Sequence, residues 1–217
     1  MTVHEKVLTS FHRSAAFDPW LARPSAGMVG EAPTFFSAGA EIYAQGEKSG
    51  GLYTVEFGAV RIYRLLADGR RQISAFHLAG EMFGFETDTK HHFFAEAICA
   101  AGIRIQRAAF LHGDLAGALL PMALQSLVRA QEHLLVLGRQ NAVERLAAFL
   151  LDMAERQGNL RHIDLPMARA DIGDYLGLSI ETVSRVFSRL RQKDVIRLSN
   201  LRTVEIVKRQ ALEDLAA

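Results

Sequence analysis

Three polar side chains with complementary hydrogen-bonding groups recur at helical spacing in the C-terminal part of the chain. They are Glu181, Ser184 and Arg185, within the segment SIETVSRVFSRL. Steps of three and four residues place such side chains on one face of a helix. A carboxylate can accept a hydrogen bond from cytosine N4, and a guanidinium can donate two to guanine. The pattern indicates a helix face that reads base edges in the major groove of DNA.

Basic and hydroxyl side chains around this set are candidates for phosphate contacts, because such groups make most protein–phosphate hydrogen bonds. We predict that the phosphate-contacting residues are Arg169, Ser179, Thr182, Ser188, Arg189 and Lys193. The alternative interpretation is a pair of amphipathic helices in a core, with these charges on a solvated face. Spacing alone does not separate the two interpretations.

Two helices joined by a tight turn must position these side chains. Ile172, Tyr175 and Leu176 share one helical face, and Gly177 follows where a helix commonly ends. Ser179 can then cap a second helix by accepting from its free N–H groups. The buried face of the second helix is predicted to consist of Val183, Val186, Phe187 and Leu190. Residues 168–192 are therefore predicted to form a helix-turn-helix.

The residues of this motif also carry a family resemblance. The segment LPMARADIGDYLGLSIETVSR resembles the Crp/Fnr transcription regulators, and among them the FixK branch. In Fnr-type members the Glu, Ser and Arg of E-x-x-S-R read a TTGAT-like half-site, and Glu181, Ser184 and Arg185 occupy those positions here. The resemblance implies a homodimeric, sequence-specific regulator on inverted-repeat DNA. It further implies a protein that mainly activates microaerobic, respiratory or nitrogen-fixation genes by contacting RNA polymerase.

Ahead of the motif, short β-rich runs alternate with glycine-bearing turns. The runs cover residues 41–43, 51–55, 59–64, 72–76, 94–98 and 103–105. This alternation predicts short antiparallel strands that form a β-sandwich or jelly roll. Residues 42–84 resemble the cyclic-nucleotide-binding-type domain of Crp/Fnr proteins.

The resemblance raises the question of whether this domain binds cyclic AMP. Relatives that do so hold the phosphate with a Gly-Glu pair and, several residues later, an Arg-Ser pair. Gly80 and Glu81 are present, but residues 91–96 read HHFFAE where Arg-Ser is expected. Without the guanidinium, a buried phosphate would lose its strongest charge-assisted partner. We predict no response to cyclic AMP, and an effector-gated regulator that binds another small molecule is the alternative.

Other chemistry in the sequence is sparse. Cys99 is the single cysteine, which excludes an intramolecular disulfide or a cysteine-built cluster. The resemblance therefore does not extend to iron–sulfur sensing of oxygen. His77, His91, His92 and Glu96 include metal-ligand types, but adjacent strand residues point to opposite faces, and surface histidines are the preferred interpretation. We predict no cofactor, metal or catalytic site, against the alternative of a metal-dependent cupin-type enzyme fused to a DNA-binding domain.

A long helix is predicted between the two regions. Residues 108–118 suggest a short helix, and Pro121 can occupy the first turn of a longer one. In that longer helix, steps of four and three residues produce a heptad seam, as in coiled coils. The leucine seam consists of Leu120, Leu124, Leu127, Gln131 and Leu134. We favour a parallel homodimer through this seam, with Gln131 setting the register, over packing of the seam on its own β-domain.

The predicted organisation is an α+β chain of four parts. Residues 1–34 are a leader, 35–118 a cyclic-nucleotide-binding-like β-jelly roll, 119–138 the dimerisation helix and 139–217 a winged helix-turn-helix. A hinge is predicted at residues 138–140, a helix at 142–157, an extended segment at 160–166 and a β-hairpin wing from 195–198 and 203–207. Residues 208–217 are a short helix or a frayed tail.

Length and charge are consistent with this organisation without proving it. A chain of 217 residues can bury one large core or two small ones. The formal net charge of +1 is no global signature of nucleic-acid binding, so local placement of the charges has to carry that inference. No apolar run approaches the length of a membrane-spanning helix, and the first residues do not resemble a signal peptide. We therefore expect a cytoplasmic protein.

Overall fold

The N-terminal region is a β-sandwich. The structure, a computed structural model, describes residues 32–107, 115–139, 141–200 and 202–217. Its first strands are β1 (Thr34–Phe36), β2 (Glu41–Tyr43), β3 (Gly51–Phe57), β4 (Ala59–Leu65), β5 (Arg71–Leu78), β6 (Met82–Phe83), β7 (Phe94–Ala97) and β8 (Ala101–Arg107). Within these residues they form two antiparallel sheets, with strand orders β1-β8-β3-β6 and β2-β7-β4-β5. The predicted sandwich is confirmed.

Alternating apolar residues hold the two sheets together. Val55 and Ile103 from one sheet and Val60 and Ala95 from the other are fully buried between them. The sequence did not indicate the short strands β1 and β6, which have three and two residues.

The long helix α1 spans Leu115–Leu137 and differs from the prediction at its start. Pro121 lies inside α1 and not in its first turn, and residues 115–118 belong to the same helix, so the predicted break between two helices is wrong there. A proline at this position removes the hydrogen bond to the carbonyl of Gly117 and crowds that carbonyl with its ring, yet α1 continues through it. Residues 108–114 of the predicted short helix, residues 1–31 of the leader and Gln140 of the predicted hinge lie outside the described residues.

The C-terminal region is a winged helix-turn-helix, as predicted. It contains α2 (Ala142–Arg156), β9 (His162–Asp164), α3 (Arg169–Leu176), α4 (Ile180–Gln192), β10 (Ile196–Leu198), β11 (Thr203–Ile206) and α5 (Arg209–Ala216). The described strands form a sheet in the order β10-β11-β9. Helix α5, which the sequence left open between helix and tail, packs against α2 through Leu212.

The core of the C-terminal region extends across the domain boundary. Ile73 and Phe76 of β5 are buried in the same apolar cluster as Phe149 and Leu150 of α2. The pairing of β4 with β5 shifts register where Ile62 faces Ala75 and Tyr63 faces Ile73, so β5 carries one extra residue. Such a bulge moves the alternation by one position, which puts residues 73 and 76 on the same face. The sequence predicted a hinge between the regions but not this shared core.

Candidate DNA-recognition surface

Helices α3 and α4 are held together by a turn without room for larger residues. Gly177 ends α3 with a left-handed φ of +64°. At Gly173 an added Cβ would lie 2.6 Å from the carbonyl oxygen of Leu178, so only glycine permits this approach. Ser179 begins α4 by accepting a hydrogen bond from the backbone N–H of Thr182 at 3.2 Å. These contacts fix the angle between the two helices.

The two faces of α4 have opposite surroundings. Its buried side consists of Val183, Val186, Phe187 and Leu190, the residues that the sequence predicted. The opposite side, which we call the recognition face, consists of the exposed residues Glu181, Ser184, Arg185, Ser188 and Arg189. The structure thus brings the three predicted base-reading residues together on one solvent-facing surface.

The charges on this face are available to a partner. The Nε of Arg185 donates to the backbone carbonyl of Glu181 at 3.4 Å, which leaves its terminal nitrogens free to donate. A hydrogen bond with its own backbone amide, another with Ser179 and the charge of Arg185 lower the pKa of Glu181, so this carboxyl is ionised and accepts at neutral pH. In the part of the chain that the structure describes, no carboxylate lies within salt-bridge distance of Arg189.

The predicted phosphate-contacting residues do not all have the same surroundings. Ser179, Ser188, Arg189 and Lys193 are exposed, and the Thr182 hydroxyl lies 3.1 Å from that of Ser179. Arg169 is different, because its guanidinium lies 3.1 Å from the centre of the Phe187 ring, between α3 and α4. Burial lowers the pKa of Arg169 to about 10. This packing gives Arg169 a structural contact within the motif.

The wing lies beside this motif. Strands β10 and β11 pair from Ile196–Ile206 to Leu198–Val204. The side chain of Asn200 shapes the turn between them by accepting from the backbone N–H groups of Arg202 and Thr203, both at 2.7 Å. Arg202 is exposed at the tip, where a solvated turn residue and a phosphate contact are both consistent with its position.

The leucine seam lies on the side of α1 that faces away from its own chain. Leu120, Leu124, Leu127 and Leu134 are between 52% and 68% exposed, and Gln131 is exposed as well. The opposite side of α1 packs on the C-terminal region through His133, whose ring stacks on Tyr175 with centroids 3.7 Å apart. Because the seam leucines are exposed, they do not pack on the described residues of the β-sandwich, and the alternative interpretation is wrong for them.

The Gly80–Glu81 pair is already engaged within the chain. Glu81 accepts from Arg129 of α1 at 2.8 Å, from Arg156 of α2 at 2.7 Å and from the backbone N–H of Leu78 at 3.0 Å. Burial alone would raise the pKa of Glu81, but the charges of Arg156 and Arg129 outweigh it and lower that pKa. Glu81 therefore joins the β-sandwich to both helices.

The histidines that suggested a metal site are separated. His91 is buried and stacks on Tyr43 with centroids 3.6 Å apart, so its assignment as a surface residue is wrong. Its ring fills a gap between aromatic side chains, which the strand pattern does not reveal. His92 is exposed and pairs with Asp88, as expected for neighbours on opposite faces. Among the described residues no group of three or more potential ligands meets at one point.

Comparison with known proteins identifies the family. A Crp-like helix-turn-helix domain matches residues 144–215, and a cyclic nucleotide-binding domain matches residues 33–104. The chain is 54% identical over 180 residues to the nitrogen fixation regulation protein FixK of Rhizobium meliloti, covering 83% of this chain and 85% of that protein. The chain belongs to the Crp/Fnr family. It is a FixK-like transcription regulator with a DNA-binding helix-turn-helix.

Other Crp/Fnr relatives agree with this assignment. The structure of FixK2 from Bradyrhizobium japonicum superimposes with a TM-score of 0.80 at 42% identity, over 86% of this chain and 98% of that one. The fumarate and nitrate reduction regulatory protein of Vibrio cholerae is 33% identical, over 82% of this chain and 76% of that protein. These relatives are regulators, which favours a regulatory over a catalytic role. In the described residues of this Crp/Fnr protein, no helix is long and apolar enough to cross a membrane.

Proposed function

We propose that this regulator binds an inverted-repeat operator with TTGAT-like half-sites, which Glu181, Ser184 and Arg185 read. The observation that carries the proposal is the shared exposure of these three side chains on one face of a capped helix whose other face is buried. The ionised Glu181 can accept from a base amino group, and Arg185 can donate twice to guanine. The phosphate contacts come from Ser179, Thr182, Ser188, Arg189 and Lys193. Arg169 instead packs on Phe187 between α3 and α4.

The regulator acts as a homodimer joined along α1. Support comes from the exposed leucine seam, which covers four turns of a 23-residue helix and has no partner among the described residues of its own chain. A polar residue at one seam position, here Gln131, can fix the register of two parallel helices. A two-fold axis along α1 presents two recognition helices to successive major grooves about 34 Å apart, which calls for an inverted repeat.

Operator binding requires neither cyclic AMP nor an iron–sulfur cluster. Glu81, which would face the nucleotide in relatives that bind one, has its carboxylate oxygens taken by Arg129, Arg156 and the Leu78 N–H. Residues 91–96 stand where the Arg-Ser pair of those relatives is expected, and His91 in this segment is buried against Tyr43. As in FixK-like regulators, the protein mainly activates genes of the microaerobic, respiratory or nitrogen-fixation kind by contacting RNA polymerase.

Operator binding is tested with purified protein and two duplexes of equal length at moderate salt. One carries an inverted repeat of TTGAT half-sites and the other a scrambled sequence of the same composition. We expect at least about a thousandfold preference for the repeat, the usual margin of specific over non-specific binding. Equal affinity for both duplexes would overturn the proposal. Calorimetry with cyclic AMP tests the second part, and binding at micromolar concentration would contradict it.

The dimer is tested with Leu127→Glu/Leu134→Glu, which places charges in the seam. Sedimentation should show a monomer, and operator affinity should fall because one recognition helix contacts only half of the repeat. Leu160→Glu is the matched control, since Leu160 is equally exposed but lies outside α1. Unchanged sedimentation of the double variant would show that the seam does not join two chains.

A further inference from the structure

A buried carboxylate in the first turn of α3 connects the helix-turn-helix to the β-sandwich. Asp171 is among the few charged residues that the structure buries, with a side chain only 5% exposed. Both of its oxygens accept from Nη1 of Arg61 on β4, at 3.0 and 3.1 Å. Arg71 of β5 donates to it from the other side. We call Arg61, Arg71 and Asp171 the Asp171 cluster.

The arginines of this cluster are themselves held in place. Arg61 also pairs with Glu96 of the neighbouring strand β7. Arg71 donates through Nε to Asp174, one turn along α3, at 2.9 Å. Next to it, the side chain of Gln72 donates to the backbone carbonyl of Asp174 at 2.7 Å. The sheet thus contacts α3 at two successive turns, at Asp171 and Asp174, through charge-assisted hydrogen bonds from Arg61 and Arg71, which are stronger than bonds between neutral groups.

Any contact that fixes the position of α3 also fixes the position of α4. Gly173 approaches Leu178 closely, and Ile172, Leu176 and Val183 share one buried core, so α3 and α4 pack as one unit. The β-sandwich in turn contacts α1 through the bond from Arg129 to Glu81. A continuous set of contacts therefore runs from the leucine seam through the sheet to the recognition face.

We propose that Asp171 is a positioning residue for operator recognition. Its bonds to Arg61 and Arg71 set the separation and tilt of the two recognition helices in the dimer, and so select the spacing between half-sites. The affinity of a single recognition helix for its own half-site does not depend on them. This inference rests on the proposed homodimer and its inverted-repeat operator.

Asp171 also accepts from the backbone N–H of Ala168 at 3.2 Å, which stabilises the first turn of α3. A substitution at Asp171 would therefore mix a local effect on the helix with the effect on domain placement. Substitutions of the two arginines avoid this, because they leave the bond within α3 intact. The test variant is Arg61→Met/Arg71→Met, and Arg61→Lys/Arg71→Lys keeps the charges without the planar fork.

The experiment measures binding of the full chain to inverted repeats whose half-sites are moved apart or together by one and two base pairs, and to a duplex with one half-site. We expect the unchanged protein to favour one spacing by about tenfold or more, since each base pair rotates one half-site relative to the other. The methionine variant should lose most of this preference, to within about threefold, while its affinity for the single half-site stays within about twofold. The lysine variant should recover part of the preference.

The matched control is Asp174→Asn, which removes the negative charge that Arg71 faces at a partly exposed position outside the Asp171 cluster and should keep the spacing preference. A methionine variant that keeps the full preference would overturn the proposal. So would a loss of single half-site affinity as large as the loss of spacing preference, because that would show a general structural role. Lower thermal stability by itself is expected, since the methionine variant leaves the buried Asp171 without its arginine partners. If the unchanged protein does not prefer any inverted repeat over scrambled duplex, the proposed function itself fails, and the spacing inference fails with it.

Discussion

The arginines of this chain work in two opposite settings. Between the domains, Arg156 is 6% exposed and pairs with Glu81 and Asp152, and it also donates to the carbonyl of Phe76. On the recognition face, Arg189 is exposed and no carboxylate of the described residues lies within salt-bridge distance. An arginine whose donors are used within the chain therefore stabilises the fold. An arginine whose donors are not used there can bind a partner.

The difference follows from the cost of burying charge. A buried guanidinium is tolerated only when carboxylates and carbonyls take its donors, because its desolvation is otherwise uncompensated. An exposed guanidinium keeps its hydration, and phosphate can replace that hydration while counterions leave the DNA. Substitutions in the first group should therefore change stability, and substitutions in the second should change DNA binding alone.

The largest expected effect is that of Arg156→Ala. It removes the main partner of a buried carboxylate and should lower the free energy of unfolding by about 3 kcal/mol or more. Urea titration of the variant and of the unchanged protein measures this loss. Arg189→Ala is the matched control and should change the same quantity by less than about 0.5 kcal/mol. Equal losses of unfolding free energy in the two variants would show that buried and exposed arginines contribute alike to stability.

Arg185→Ala should act on specificity and leave stability unchanged. Loss of the paired donors should reduce discrimination at the guanine position by about 1–3 kcal/mol in each half-site. Competition binding with operators that carry each base pair at that position measures this. Equal losses of affinity for operator and random duplex would contradict a base-reading role. Arg191→Ala is the comparison, because Arg191 is an exposed arginine in the last turn of α4 outside the three base-reading residues.

The stability that the charged interface between the domains provides should depend on pH, whereas the recognition face should not add to this dependence. His77 faces Glu81, Arg156 and Arg129, and burial lowers its pKa from 6.5 to about 4. Because the unfolded chain takes up this proton first as the pH falls, the stability that neutral His77 provides above pH 6.5 is lost progressively towards pH 4. Between pH 7 and pH 5 the loss should reach about 2 kcal/mol.

Urea titrations at several pH values compare His77→Gln with His92→Gln, in which an exposed histidine is replaced. We expect the stability of His77→Gln to fall less between pH 7 and pH 5 than that of the control. If both variants follow the pH dependence of the unchanged protein, folding does not lower the pKa of His77.

The smallest expected effect is that of Arg189→Ala on DNA. A lost phosphate contact should weaken binding to all sequences to a similar extent, by less than about tenfold. The dependence of log affinity on log salt should become less steep by about 1 per protomer. Measurements at several salt concentrations on operator and random duplex give both values. A sequence-dependent loss would instead move Arg189 into the base-reading group.

The recognition motif was predictable from sequence because its information is local. The buried face of α4 is predicted by the spacing of its apolar residues, Val183, Val186, Phe187 and Leu190. The turn is predicted by Gly177 and Ser179, and the remaining positions of α4 form the recognition face. Each of these signals lies within a few residues of the feature it determines.

The interface between the domains was not predictable in the same way. Asp171 and Arg61 are 110 residues apart in sequence, and nothing near either residue indicates the other. The local signal at Asp171 is its place in the first turn of α3, which is typical of a helix-stabilising acid. The prediction of His91 as a surface residue fails for a related reason, because its burial depends on aromatic side chains from other strands.

The extra residue in β5 limits how freely the two halves of the chain can be recombined. It turns Ile73 and Phe76 outward from the sandwich into the core around Phe149. A fragment cut after Gly138 would leave that core with an uncovered apolar patch, and a chimera with another sandwich would need matching side chains at both positions. An exchange of either half would therefore require matching changes in the apolar surface of the other.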